Sequence, residues 1–249
     1  MYRSGVSLSS ILLWPVRERI STDRKLTLRQ GTTFTFPRDV DGEMLFMEIC
    51  VEEVYGRDGI KIMPGATVID IGANVGMFAL WAATRAPNVR VIAIEPSPRM
   101  CDFLGRNVKK NRAPVTIVQA ACGGTDGRAI LYSPGEETKN TLLSSPSGDS
   151  LRPIAEVDVM TLDTLFSGSD ISVCDLLKLD CEGAEYDILL NTSAATYGKI
   201  RQISLEYHSD LEGGRRRRKL EELLVDDYGF GISRHPITED MGYLYARRI

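Results

Sequence analysis

Four short apolar runs in this chain end at or beside acidic side chains. Asp70 sits in Thr67-Val-Ile-Asp-Ile71, and Glu95 follows Val89-Arg-Val-Ile-Ala-Ile94. Asp180 and Glu182 follow Leu176-Leu-Lys-Leu179, and Glu206 and His208 close the run that starts at Ile200. Apolar runs rich in Val, Ile and Leu read as strands buried on both faces. In open α/β sheets ligands bind at the carboxyl ends of such strands. Acids placed there can accept hydrogen bonds from ribose hydroxyls, balance a bound cation, or take a proton during reaction.

The chain turns at Gly72 and again meets glycine at Gly76, where a helical pattern begins with Phe78, Leu80 and Trp81. Strand, glycine turn and helix in this order open a nucleotide-type α/β site. Gly72, Ala73 and Asn74 border the ligand, and Gly76 lets the helix approach the sheet. Glu95 comes 25 residues after Asp70, the length of one βαβ unit, and is placed to accept both ribose hydroxyls of an adenosine. The spacing lacks the middle glycine of a dinucleotide fingerprint, and an acid just before the turn repels phosphate. The same acid suits S-adenosylmethionine, whose amino group and sulfonium are both positive. Asp70 with Glu95 therefore favours a methyl donor over NAD. Ser97 caps the next helix beside Glu95. Gln119 to Cys122, Ala121 among them, lie at the end of the third strand, where adenine would sit. Gln119 either bonds the adenine edge or caps a loop.

A methyl acceptor that is an alcohol must lose a proton, so a base within about 3 Å is useful. Asp180, Glu182 and His208 are the candidates, and His208 has the ordinary pKa best suited to neutral pH. Each has a second reading: His208 bonds a loop carbonyl, Asp180 orients the methionine end or the turn, and Glu182 caps the helix from Ala184. Asp180 thus counts for both the cofactor and the reaction. Lys178, inside an apolar strand, is expected to pair with an acid. No third oxygen ligand stands out beside Asp180 and Glu206, so no metal is expected.

Three stretches carry a resemblance: Val-Ile-Asp70-Ile-Gly-Ala-Asn-Val-Gly76, then Ala-Ile-Glu95-Pro-Ser-Pro, then Asp175-Leu-Leu-Lys-Leu-Asp-Cys-Glu-Gly-Ala-Glu185. Together they resemble the FkbM family of class I methyltransferases, over roughly Glu43 to His208. The resemblance implies an α/β fold with a seven-stranded, mostly parallel, Rossmann-like sheet. It also implies S-adenosylmethionine, O-methylation of a sugar or natural-product hydroxyl, and a substrate-side position for Asn140-Thr-Leu.

The elements follow. Residues 1–40 read as an amphipathic helix and a hairpin around Gly31, forming an extension or lid; residues 41–249 read as the methyltransferase domain. A helix is expected over Asp41–Tyr55 on Met44, Phe46, Met47, Val51 and Val54. Others are expected from Ser97 to Asn111, Ala184 to Leu190 and Arg215 to Asp226. Ala129–Tyr132 reads as a short strand, and Ser133–Pro153 has no periodic pattern. The last two strands, from Gly229 and Gly242, read as an antiparallel pair.

A net charge of -4 gives no general attraction to nucleic acid. The run Arg215–Lys219 is balanced by Glu221, Glu222, Asp226 and Asp227, so it reads as a solvated helix face. Five cysteines without metal spacing and the lack of a long apolar run point to reduced thiols, a cytoplasmic protein and no membrane partner. The expected partner is a small-molecule acceptor. N-methylation of an amine and a non-catalytic, cofactor-binding regulator are the alternatives.

Overall fold

The computed structural model of the chain describes residues 23–28, 31–133, 141–142, 151–208 and 212–248. The helix expected near the amino terminus lies outside these residues, as does Asn140. The described chain opens on a hairpin, β1 (Asp23–Thr27) and β2 (Thr33–Pro37), which turns through Gly31 at φ 95°. Next comes α1 (Gly42–Phe46), capped by the Asp41 side chain and continued as a π turn over Met47–Val51. Glu53 then adopts a left-handed φ of 49°, and a 3-10 turn covers Val54–Gly56. The single helix expected over Asp41–Tyr55 is therefore broken. Met44 and Met47, two of the apolar residues on which that helix is expected, are about half exposed, whereas Phe46, Ile49, Val54 and Tyr55 are buried. The bend at Glu53 precedes the two residues that turn inward, Val54 and Tyr55.

The core alternates strand and helix: β3 (Thr67–Ile71), α2 (Met77–Ala83), β4 (Arg90–Ile94), α3 (Pro98–Asn111) and β5 (Val115–Val118). Three strands follow, β6 (Ala121–Cys122), β7 (Gly127–Ser133) and β8 (Arg152–Met160), which form their own sheet in the order β6-β8-β7. β8 thus begins inside the stretch that shows no pattern in sequence. The chain returns through α4 (Leu162–Gly168), β9 (Leu176–Leu179), α5 (Glu185–Leu190), α6 (Ala194–Tyr197) and β10 (Gln202–Tyr207). It ends with α7 (Arg215–Glu222, continued as a π turn over Leu223–Asp227), β11 (Phe230–Pro236) and β12 (Gly242–Arg248).

The main sheet has seven strands in the order β11-β12-β10-β9-β3-β4-β5. The pairings from β10 to β5 are parallel, and β12 pairs antiparallel with both β10 and β11. Side chains alternate between the faces, as the two-residue period of a strand requires. Val68, Val91, Ala93 and Leu176 pack on one face with α2 and the hairpin phenylalanines Phe34 and Phe36. Ile69, Ile71, Ile92, Ile94, Leu177 and Leu179 pack on the other with α4 and α5. Each such side chain, fully buried, contributes about 1.5–3 kcal/mol, which is why these runs hold no polar residue except where the site needs one.

Two asparagines on α3 bind the hairpin as a neighbouring strand would. Asn107 accepts from the Thr35 N–H (2.8 Å) and donates to the carbonyls of Thr35 (2.8 Å) and Val75 (2.8 Å). One turn on, Asn111 accepts from the Thr33 N–H (2.8 Å) and donates to the Thr33 carbonyl (2.7 Å). The hairpin edge is thereby tied to α3 and, through Val75, to the glycine turn.

The chain leaves β3 toward β4 and β5 on one side and later builds β9 and β10 on the other. That switch point places a crevice at the carboxyl ends of β3 and β9.

Candidate active site

The crevice wall starts at the turn after β3. Gly72 has φ 76°, and a Cβ there would lie 1.8 Å from the Asp180 carbonyl oxygen, so only glycine lets the end of β9 come this close. Gly72, Ala73, Asn74, Glu95, Ala121, Asp180 and Glu182 all line the crevice. Gly76 lies outside it: at φ 84° it begins α2, and a Cβ there would meet Leu104 at 2.3 Å. Its role is close packing of helices, the second use of glycine in such turns.

Glu95 is buried at the end of β4. It accepts the N–H of Asn74 at Oε2 (2.8 Å) and the N–H of Ser97 at Oε1 (2.9 Å). Ser97 in turn caps α3, its Oγ accepting from the Met100 N–H, and so stands behind Glu95. Burial pushes Glu95 up to about 7, opposed by those two N–H donors. Beside it the wall is apolar, with Ile71, Ile94, Ala120, Ala121, Leu131 and Leu142. Gln119 is exposed and off this wall, because β5 ends at Val118 and it is Ala120, Ala121 and Cys122 that turn inward. Of the segment Asn140-Thr-Leu, Leu142 reaches the wall, and Thr141 Oγ1 donates to the Glu182 carbonyl (3.1 Å).

The other end of the crevice is charged. Asp70 is fully buried beneath the turn, off the wall, and meets the Lys178 ammonium at 3.1 Å. Lys178 also donates to the Gly72 carbonyl (3.0 Å) and lies 3.7 Å from Asp180 Oδ2. Burial disfavours its charge, but Asp70 and Asp180 more than compensate and hold the ammonium protonated. Asp70 therefore acts on the crevice through Lys178, the acid partner expected for that lysine.

His208 does not have the near-neutral value expected of it. Burial opposes its charge, yet its Nδ1 lies 3.1 Å from the buried Glu185, and Asp180 and Glu182 add to the attraction. The result is a pKa of about 10 and an imidazolium at neutral pH. Nε2 lies 3.5 Å from Glu182 and 4.0 Å from Glu206. Glu185 is fixed by the N–H groups of Cys181 (2.7 Å) and Gly183 (3.1 Å), so its capping reach goes back to its own turn. Asp180, Glu182 and His208 bring donor atoms within 4.8 Å of one another. With its proton His208 pairs with these acids as a cation, and a metal at the three would have to displace that proton.

Three residues join the site that sequence reasoning did not single out. Tyr55 hydroxyl lies 3.0 Å from Asp180 Oδ2 and 3.2 Å from Glu206 Oε2. Tyr243 donates to Glu48, a carboxyl that feels the charge of Asp180. Burial raises Glu48, and burial with the charge of Asp180 pushes Glu206 up to about 8. No local signal marks these residues, since the partners of Tyr55 lie 125 and 151 positions away.

Residues 70–232 match the profile of the Methyltransferase FkbM domain. The chain belongs to the FkbM methyltransferase family. Among curated relatives, the AMB antimetabolite synthetase AmbE of Pseudomonas aeruginosa is 32% identical over 227 residues, which cover 77% of this chain and 11% of AmbE. The 31-O-demethyl-FK506 methyltransferase FkbM of Streptomyces tacrolimicus is 28% identical over 219 residues, 76% of this chain and 82% of that one. The crystal structure of a methyltransferase FkbM from Methylobacillus flagellatus shares the fold with a TM-score of 0.50 at 17% identity, over 78% of this chain and 46% of that one. The FkbM profile ends in β11 and leaves out Tyr55 and Tyr243. No helix among the described residues is long and apolar enough to cross a membrane.

Proposed function

We propose that this FkbM-family protein is an S-adenosylmethionine-dependent O-methyltransferase acting on a hydroxyl of a sugar or natural product. The observation that carries the reading is the polarity of one crevice: an apolar end with a buried carboxylate at the β4 terminus, and an acidic end at Asp180 and Glu182, just after β9. That division matches an adenosine at one end and a cation at the other. The relative from Streptomyces tacrolimicus, a methyltransferase named for an O-demethylated substrate, supports oxygen as the acceptor atom.

S-adenosylmethionine, when bound, supplies a methyl group on a positively charged sulfur. Ile71, Ile94 and Ala121 exclude water from the adenine end. Glu95, already oriented by Asn74 and Ser97, offers its remaining lone pairs to the ribose hydroxyls. Asp180 and Glu182 balance positive charge at the opposite end. Asp180, on the crevice wall and flanked by Lys178 and Tyr55, takes the proton of the acceptor hydroxyl. His208, as a cation, cannot act as that base and instead holds Glu182 and Glu206 in place.

The test is transfer of radiolabelled methyl from S-adenosylmethionine to a panel of hydroxylated and amine-bearing small molecules. Transfer to hydroxyls, reduced about 100-fold or more in Asp180→Asn, is expected. Transfer to amines alone overturns the oxygen reading.

A further inference from the structure

Tyr55 is 2% exposed and comes from the 3-10 turn before the core sheet. Its ring is held edge-on by Phe78 (centroids 5.4 Å apart) and Tyr243 (5.8 Å), and the Lys178 ammonium lies 5.2 Å from its centroid. The ring has no freedom to swing, so its hydroxyl stays between the ends of β9 and β10. There it meets one oxygen of Asp180 and one of Glu206. A phenol has one proton to donate. It can bond two carboxyl groups at once only if it donates to one and accepts from the other, and that other must then carry a proton. The geometry thus has two equivalent hydrogen-bonding directions, and they differ by which carboxyl is protonated.

We propose that Tyr55 is a positioning residue that joins Asp180 and Glu206 into one proton-sharing unit, passing the proton lost by the methyl acceptor from the crevice wall to Glu206. The proposal rests on the methyltransferase reading for the source of that proton. The acceptor O–H bond breaks as Asp180 gains the proton. The new Asp180 O–H bond then breaks as the Tyr55 oxygen gains that proton, while the proton of Tyr55 moves to Glu206 Oε2. At the end Asp180 is a carboxylate again, Tyr55 is a neutral phenol, and Glu206 is a carboxylic acid. Lys178, 3.7 Å from Asp180 Oδ2, favours negative charge returning to that residue. Burial and the charge of Asp180 push Glu206 up to about 8, so it takes the proton in its ionised form, whose share grows as pH rises through that value, and the relay runs through that form. The other charged or titratable groups around the unit are His208, Glu48 and Tyr243, with Glu182 beyond His208.

The experiment is a 13C NMR titration of glutamate carboxyl carbons in the full chain, with Glu206 assigned by the signal lost in Glu206→Gln. In the unaltered chain Glu206 is expected to titrate near 8. Tyr55→Phe removes a donor to the ionised form, so the midpoint should rise by about one pH unit. Asp180→Asn removes the neighbouring charge, so the midpoint should fall by a comparable amount. A Glu206 that titrates in the ordinary glutamate range of about 4.3, or a midpoint unmoved in either folded variant, overturns the proposal. If Tyr55→Phe does not fold, the unaltered chain and Asp180→Asn decide. S-adenosylhomocysteine titrated calorimetrically into the same samples separates the two ideas. Absence of binding sinks the methyltransferase reading, whereas binding with an uncoupled Glu206 sinks only the relay.

Discussion

At the scale of single residues, the site is set by which charges burial allows. His208 is raised from 6.5 to about 10, so the folded state holds its proton more tightly than the unfolded chain does. The stability it contributes is fully present below about 6.5 and is lost as pH rises through about 10. Glu95 and Glu206, raised from 4.5 to about 7 and about 8, act in the same direction over their own ranges. Thermal denaturation should therefore show a melting temperature that falls between pH 6.5 and 10 by on the order of 5 °C. His208→Gln should flatten that slope, and an unchanged slope contradicts the imidazolium assignment. Glu95 and Gly72 are readable in sequence because the βα unit that needs them is local. The rise of His208 is not readable, because it comes from Glu185, which packs against it only after β9, α5 and β10 are assembled. Lys178 gives a half-way case: a lysine inside an apolar strand demands an acid, but only the register of β3 against β9 shows that the acid is Asp70.

Among the elements, two junctions hold the crevice in shape. The first is the contact of Gly72 with the end of β9. Gly72→Ala forces a side chain onto a carbonyl at a left-handed φ, and should destabilise the fold by about 3 kcal/mol or more. Denaturant melts check this, and a cost under about 1 kcal/mol means the turn has room to move. The second is the asparagine ladder of α3. Asn107→Ala leaves the Thr35 N–H and the carbonyls of Thr35 and Val75 without their partner, at a cost of about 2–4 kcal/mol. Hydrogen exchange should show the hairpin amides losing protection first; exchange unchanged at Thr35 would contradict the ladder. The hairpin itself is legible from its alternating residues about Gly31. Its attachment is not, since asparagines at i and i+4 of a helix are ordinarily surface residues. The segment Asp41–Tyr55 misleads a helical reading because its methionines face solvent while Val54 and Tyr55 turn inward past the bend at Glu53.

On the scale of the whole molecule, the seven-stranded sheet follows from apolar runs whose faces must both be covered, and the position of the crevice follows from the switch in strand order. The small sheet β6-β8-β7 is legible only in part: Ala129–Tyr132 marks β7, but the start of β8 falls in the stretch without a period, and only the pairing of β7 with β8 shows that they form a sheet, whose Leu131 on β7 reaches the crevice. The basic run Arg215–Lys219 behaves as its neighbouring acids suggest. Arg216 meets Asp187, Arg217 meets Glu221, and Leu220 and Leu224 are buried. All five cysteines are free thiols, three of them pushed up to about 12 by burial. The central claim is that the crevice binds an adenosine bearing a cationic sulfur group through Glu95, and not a dinucleotide. The most direct measurement is calorimetric titration of the full chain with S-adenosylmethionine, S-adenosylhomocysteine and NAD⁺, repeated with Glu95→Ala. The account predicts that both sulfur ligands bind, that NAD⁺ does not, and that Glu95→Ala weakens binding by about 10- to 100-fold. A folded chain that binds neither sulfur ligand, or that binds NAD⁺ in preference, contradicts it.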